Sequence, residues 1–253
     1  MTRIMEILNI AAYKFIALDC LPALQTAVRN TLQPFNIKGT VLIAEEGINL
    51  FLAGLAHEIH DFLNWLRLDP RFTDLEVKES LSSTQPFHKM LVKIKPEIIR
   101  MNHPAIQPAA GRAPAVDAQT LKRWLDGGFD DAGRPVVMLD TRNDFEVDVG
   151  TFKNAVDWRI SKFTEFPQAL LDHSPDLAGK TVVSFCTGGI RCEKAAIFMR
   201  EAGVQNVYQL DGGILKYFAV HGQQAGSTHF EGDCFVFDDR RALNPALDAK
   251  VSD

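Results

Sequence analysis

Cys186 is the residue whose setting invites chemistry. Ahead of it, Thr181–Phe185 is β-branched and apolar, the composition of a short buried strand; behind it, Cys192–Ala202 holds good helix formers closed by Gly203. The thiol therefore stands where a strand hands over to a helix. The intervening residues Thr187, Gly188, Gly189, Ile190 and Arg191 make a loop short enough to curl backbone N–H groups around one sulfur, with the positive end of the following helix aimed at the same atom. Arg191 adds a guanidinium that never gives up its charge. Such a pocket favours the thiolate, so Cys186 reads as a nucleophile and Arg191 as the group that steadies its charge. The competing reading is a buried structural thiol.

Other chemistry-bearing residues carry weaker signals. Asp140 and Arg142 stand at the end of the apolar run Val136–Asp140, the strand end at which open α/β sheets place their sites, although a structural salt bridge that fixes the loop is the preferred reading. Cys192, six positions after Cys186, is either a resolving thiol or a small packing residue one turn into the helix, and packing is the preferred reading. Glu45 and Glu46 read as a solvated hairpin tip rather than acid–base groups. Lys89, Lys93, Lys95 and Arg100 gather in one strand and its exit with Glu97 as the lone acid among them, a pattern that suits phosphate contact or an ordinary exposed face.

The elements around these residues fall into two sets. Leu8–Ala17, Ile37–Ala44, Ile48–Ala53, Leu75–Ser80 and Met90–Lys95 read as strands, and Leu21–Leu32 and His57–Leu68 as helices. The order β-α-β-β-α-β is ferredoxin-like, with one strand more. Residues 102–115, with Pro104, Pro108, Gly111 and Pro114 and no apolar periodicity, read as a linker. Asp117 then caps a helix over Ala118–Leu125, and strands and helices alternate through Tyr217, the pattern of a parallel sheet covered on both faces. Residues 226–253 read as a polar tail around the apolar run Cys234–Phe237.

Composition excludes several classes. The chain of 253 residues is 46% hydrophobic and 23% charged, which suits two globular domains, and it has neither an apolar run able to span a bilayer nor the features of a secretory leader. A cytoplasmic location is therefore expected, and reduced thiols with it, because four scattered cysteines make neither a disulfide framework nor a paired zinc motif. The seven histidines show no H-x-x-x-H, and no G-x-G-x-x-G opens a helix, so neither a metal nor a flavin or nicotinamide cofactor is expected. A net charge of −5 gives no global pull toward nucleic acid, so such a partner needs a local basic patch.

Cys186-Thr-Gly-Gly-Ile-Arg191 resembles the active-site loop of rhodanese-like domains, whose cysteine carries a persulfide. Val136–Asp140 with Thr141-Arg142 is similar to the strand of that fold that ends in Asp-x-Arg, Gly150-Thr-Phe-Lys-Asn-Ala155 stands where it usually has Gly-His-Ile-Pro-Gly-Ala, and Val207–Gly213 is similar to its last strand and glycine turn. With Gly39–Asn49 and Gly232–Arg240, the whole chain resembles the rhodanese-containing family that hydroxylates the wobble uridine of bacterial tRNA. The resemblance implies a mixed α/β and α+β protein: a ferredoxin-like (acylphosphatase-like) domain over 1–101, the linker over 102–115, a rhodanese-like catalytic domain over 116–225 and a tail over 226–253. It implies oxygen-dependent formation of 5-hydroxyuridine at position 34, with molecular oxygen as co-substrate, an unspecified electron donor and tRNA as partner. A rhodanese-type sulfurtransferase fed by a sulfur donor competes with it, since the same loop serves both. A cysteine phosphatase fits less well, because only four residues separate Cys186 from Arg191 where Cys-x5-Arg is needed.

Overall fold

In a computed structural model, which describes residues 6–222 and 229–249, the chain divides into two units. The first is built from the chain up to Ile98 together with Asp238–Arg240, the second from Ile99–Phe237 and the chain from Arg241 onward.

The first unit runs β1 (Ile7–Phe15), α1 (Leu21–Leu32), β2 (Lys38–Ala44), β3 (Gly47–Gly54), α2 (Ala56–Leu66), β4 (Val77–Ser82) and β5 (Met90–Ile94). Pro22 opens α1, where a missing N–H costs nothing, and Ile59, Phe62, Leu63 and Leu66 give α2 one buried face. The sheet order is β4-β1-β3-β2-β5, with every pair antiparallel except β2 with β5. This is the ferredoxin-like order, with β5 as the added strand at the edge. Ala44 pairs with Gly47, so Glu45-Glu46 is a two-residue hairpin tip. Glu46 is anchored there: its Oε1 accepts from the Ile98 amide at 2.7 Å.

The second unit contains β6 (Ala115–Val116), α3 (Ala118–Gly127), β7 (Val136–Asp140), α4 (Asp144–Val147), β8 (Gly150–Phe152), α5 (Phe166–His173), β9 (Thr181–Phe185), α6 (Ile190–Glu201), β10 (Val207–Leu210), α7 (Gly213–His221), β11 (Phe230–Gly232), β12 (Cys234–Phe235) and β13 (Ala242–Leu243). Asp117 caps α3, its Oδ1 accepting from the amides of Gln119 and Thr120, both at 2.9 Å. A parallel sheet of order β6-β10-β9-β7 lies between two apolar clusters. Val182 belongs to one cluster and Val183 to the other, so the central strand β9 is buried on both faces, the burial typical of a parallel strand.

Two stretches differ from the expectation. Residues 102–115 pack as part of the second unit: Ile106 and Ala113 are buried in its core beside Met101, because proline breaks periodicity without preventing burial. The tail expected over 226–253 is folded where it is described. β11 pairs with β8, β12 pairs with β13, and Cys234, Val236, Ala242 and Leu243 are buried. Strands of two or three residues are too short for alternation to show in sequence. Among the described residues no helix is long and apolar enough to cross a membrane.

Candidate active site

The site forms at the carboxyl end of β9. Helix α6 begins at Ile190 rather than Cys192, so Ile190 and Arg191 belong to its first turn and the loop proper shrinks to Thr187, Gly188 and Gly189. Gly189 takes φ 97°, a left-handed conformation open to glycine, and its amide donates to Cys186 Sγ at 3.2 Å. From behind, the start of α7 braces the loop: the amides of Ile214 and Leu215 donate to the carbonyls of Cys186 and Thr187, both at 3.0 Å. Gly213 passes so close that a Cβ would stand 2.5 Å from the Cys186 carbonyl oxygen.

Cys186 is fully buried, and burial pushes a thiol up. Here a hydrogen bond from the Cys192 thiol, the charge of Arg191 and the amides of Arg191 and Gly189 outweigh it and bring Cys186 down to about 6. Cys192 moves the opposite way, raised by burial and by the neighbouring sulfur, although Thr141 Oγ1 lies 3.7 Å from its Sγ. One sulfur is thereby held as thiolate while the other stays a thiol that donates to it. Cys192, expected to be a packing residue, is fully buried, and its thiol also bears on the charge of the nucleophile. A third buried thiol, Cys234, is pushed up to about 12 by burial and stays protonated.

Arg191 does not lie free over the sulfur as its spacing suggested. Its Nη1 and Nη2 donate to Glu146 Oε2 and Oε1 at 2.6 and 2.7 Å, both side chains are buried, and Nε is left without a partner. Burial opposes the charge of each, yet each holds the other ionised: Arg191 is raised, Glu146 lowered. Glu146 is held in turn by the Asn143 amide, which donates to Oε2 at 3.1 Å. The site is therefore a near-neutral buried ion pair set against a thiolate, with the loop amides supplying direct contact.

Asp140 and Arg142 form a second, fully buried pair. Arg142 Nε and Nη2 donate to Asp140 Oδ1 and Oδ2 at 2.9 and 2.7 Å, and Nη2 also donates to the Gly150 carbonyl at 2.6 Å. Thr151 Oγ1 donates to Asp140 Oδ2 at 2.7 Å, which ties the end of β7 to β8. This pair fixes backbone beside the site and does not touch the sulfur. Lys93, in the edge strand β5 of the first unit, and Lys89 and Lys95, which flank that strand, are exposed. Arg100, expected at the exit of that strand, lies in the second unit, where its Nε donates to Asn102 Oδ1 at 2.8 Å.

Residues 7–98 match the model of the UPF0176 acylphosphatase-like domain, and residues 117–219 match that of the rhodanese-like domain. The tRNA uridine(34) hydroxylase of Variovorax paradoxus is 65% identical over 98% of this chain and 93% of its own. The chain belongs to that family. The corresponding hydroxylases of Bordetella petrii and Cupriavidus taiwanensis, 65% and 61% identical, align over 95% and 96% of this chain and 94% and 85% of theirs. As a family member it carries a rhodanese-like unit whose sulfur site draws on Glu146, Thr141 and Cys192; sequence reasoning had pointed to neither of the first two and offered Cys192 only as the less favoured resolving thiol. One signal was present. Asn143-x-x-Glu146 is the spacing of a helix-capping box and announced a carboxylate turned back at a helix start, but nothing local announced its arginine.

Proposed function

We propose that this chain hydroxylates the wobble uridine of tRNA at C5, and that Cys186 carries the reaction. The supporting observation is the near-full-length identity to tRNA uridine(34) hydroxylases, joined to a thiolate held at the carboxyl end of a central parallel strand. It also favours the hydroxylase over the sulfurtransferase, which the loop alone would fit equally.

The chemistry follows from the nucleophile. Sulfur of Cys186, as thiolate or persulfide, adds to C6 of the uracil and turns C5 into an enolate-like carbon that attacks an oxygen donor at the peroxide level. Loss of the C5 proton then restores the C5=C6 bond and expels the sulfur. Molecular oxygen supplies the inserted atom, and a two-electron reductant takes the second atom to water. The loop amides and the end of α6 steady the sulfur anion whenever it is released. Because Cys186 is fully buried, a persulfide fed by a sulfur donor would carry the reactive atom outward by one bond. A tRNA substrate implies a cytoplasmic reaction.

Nucleoside analysis of tRNA from a deletion strain, complemented by the wild-type chain or by Cys186→Ser, tests the reading. Loss of 5-hydroxyuridine derivatives with rescue by the wild type alone is expected. Loss of a thiolated uridine instead would assign the chain to sulfur transfer.

A further inference from the structure

Beside the Cys186 loop stand three phenylalanines that serve no core. Phe145, Phe235 and Phe237 pack edge to face, with centroids 5.3, 6.2 and 5.1 Å apart and ring planes within a few degrees of perpendicular. Phe145 is 42% exposed and Phe237 58%. Single exposed apolar residues are ordinary, but rings in mutual contact and open to solvent form a patch. In an edge-to-face pair the edge of one ring covers one face of the other, and the exposure of Phe145 and Phe237 leaves ring surface open to solvent.

Both sides of the patch lead to the sulfur. Phe145 precedes Glu146, the partner of Arg191, and the Phe235 carbonyl accepts from Thr187 Oγ1 at 3.5 Å, one residue after Cys186. The Asp144 amide donates to the Ile160 carbonyl at 2.8 Å, so Lys162 stands two residues from a chain segment bonded to α4. Lys162 Nζ lies 3.6 Å from Glu165, and both side chains are exposed; such a pair is weak enough to exchange for a phosphate.

We propose that Phe145 and Phe237 form a stacking platform for the unpaired nucleobase next to the uridine presented to Cys186, with Lys162 facing the adjoining phosphate. The inference rests on tRNA being the substrate. A base that reaches a buried sulfur must leave the stack of its loop, which deprives its neighbour of a partner. An exposed aromatic face replaces that partner, and it does so for any base because every base has a π-face.

An anticodon stem-loop RNA carrying 2-aminopurine next to the target uridine is the probe. Binding to the wild-type protein should quench its fluorescence. Phe237→Leu and Phe145→Leu keep an apolar side chain but lose the ring; each should weaken binding on the order of tenfold and abolish much of the quenching, whereas Phe237→Tyr should restore both. Phe237 lies outside any helix, so its variant reports on the ring even if Phe145→Leu disturbs α4. Leucine variants that bind and quench like wild type would overturn the platform while leaving the hydroxylase intact. Leucine variants that lose only self-association, with RNA binding unchanged, would overturn it in favour of a second copy of the chain. A wild-type protein that yields no hydroxylated tRNA would remove the reading of the function itself, and the platform with it.

Discussion

The reactive thiolate at Cys186 depends on a small number of neighbours, and they can be removed one at a time. Cys186→Ser replaces a polarizable, low-pKa nucleophile by an alcohol of similar size and should abolish hydroxylation while the thermal unfolding midpoint stays within a few degrees of wild type. Cys192 tests the hydrogen bond. Cys192→Ala removes a donor that favours the thiolate, so the Cys186 pKa should rise and the acid limb of kcat/KM, expected near pH 6, should move to higher pH. Cys192→Ser, which can still donate, should move it less. Coincident pH profiles for Cys192→Ala and wild type would show that the second thiol does not tune the first. Glu146→Gln is the harsher change. It leaves the buried Arg191 without its counter-charge and should cost about 3–5 kcal/mol of stability, read as a drop in the urea midpoint.

At the scale of elements, the sulfur is positioned by a strand end, a helix start and a second helix start that meets them from behind. Helix α7 begins at glycines for a steric reason: Gly213 has φ 67°, and a side chain there would enter the loop between the Cys186 carbonyl and the Gly189 amide. Gly213→Ala should therefore destabilise the protein by at least about 1–2 kcal/mol and reduce turnover more than substrate affinity, because the displaced atoms are those that hold the sulfur. Equal losses in KM and kcat would place its effect elsewhere. Much of this layer was legible in the sequence. Val136–Asp140, Thr181–Phe185 and Leu21–Leu32 carry strong period or composition signals, and their ends are where the sequence placed them. The start of α6 was not, since a helix that opens on Ile190-Arg191 without a polar cap has no local start signal.

At the scale of the whole molecule, an acidic chain must bind a polyanion. With a net charge of −5, affinity has to come from cations placed close to phosphates, each releasing about one counterion. Lys89, Lys93 and Lys95 lie exposed on and beside an edge strand of the first unit, so changing all three to Gln should raise KM for tRNA. The salt slope should fall by about one for each phosphate no longer neutralised, with the chemistry at Cys186 untouched. Unchanged slopes would move the footprint to the second unit. Arg100 belongs to that unit and is best changed separately.

The sequence by itself determined the local chemistry and the two sets of elements. A cysteine between a buried strand and a helix, a double glycine, an arginine and two hydrophobic periodicities are statements about neighbours within one turn or one strand, and local physics reads them. Tertiary structure decided which charges meet. Glu146 reaches Arg191 across 45 residues, and Thr187 meets Phe235 across 48, because separate elements of one unit converge on the same end of its sheet. It also decided that residues 102–115 and 229–249 are packed rather than loose, since segments without periodicity are ordered only by the surfaces they cover. The consequence reaches the reactive atom itself: sequence assigned the loop amides and a free Arg191 to the sulfur, and in the fold the Gly189 amide does reach it, whereas the arginine's charge is shared with Glu146 and the Cys192 thiol joins in holding the thiolate.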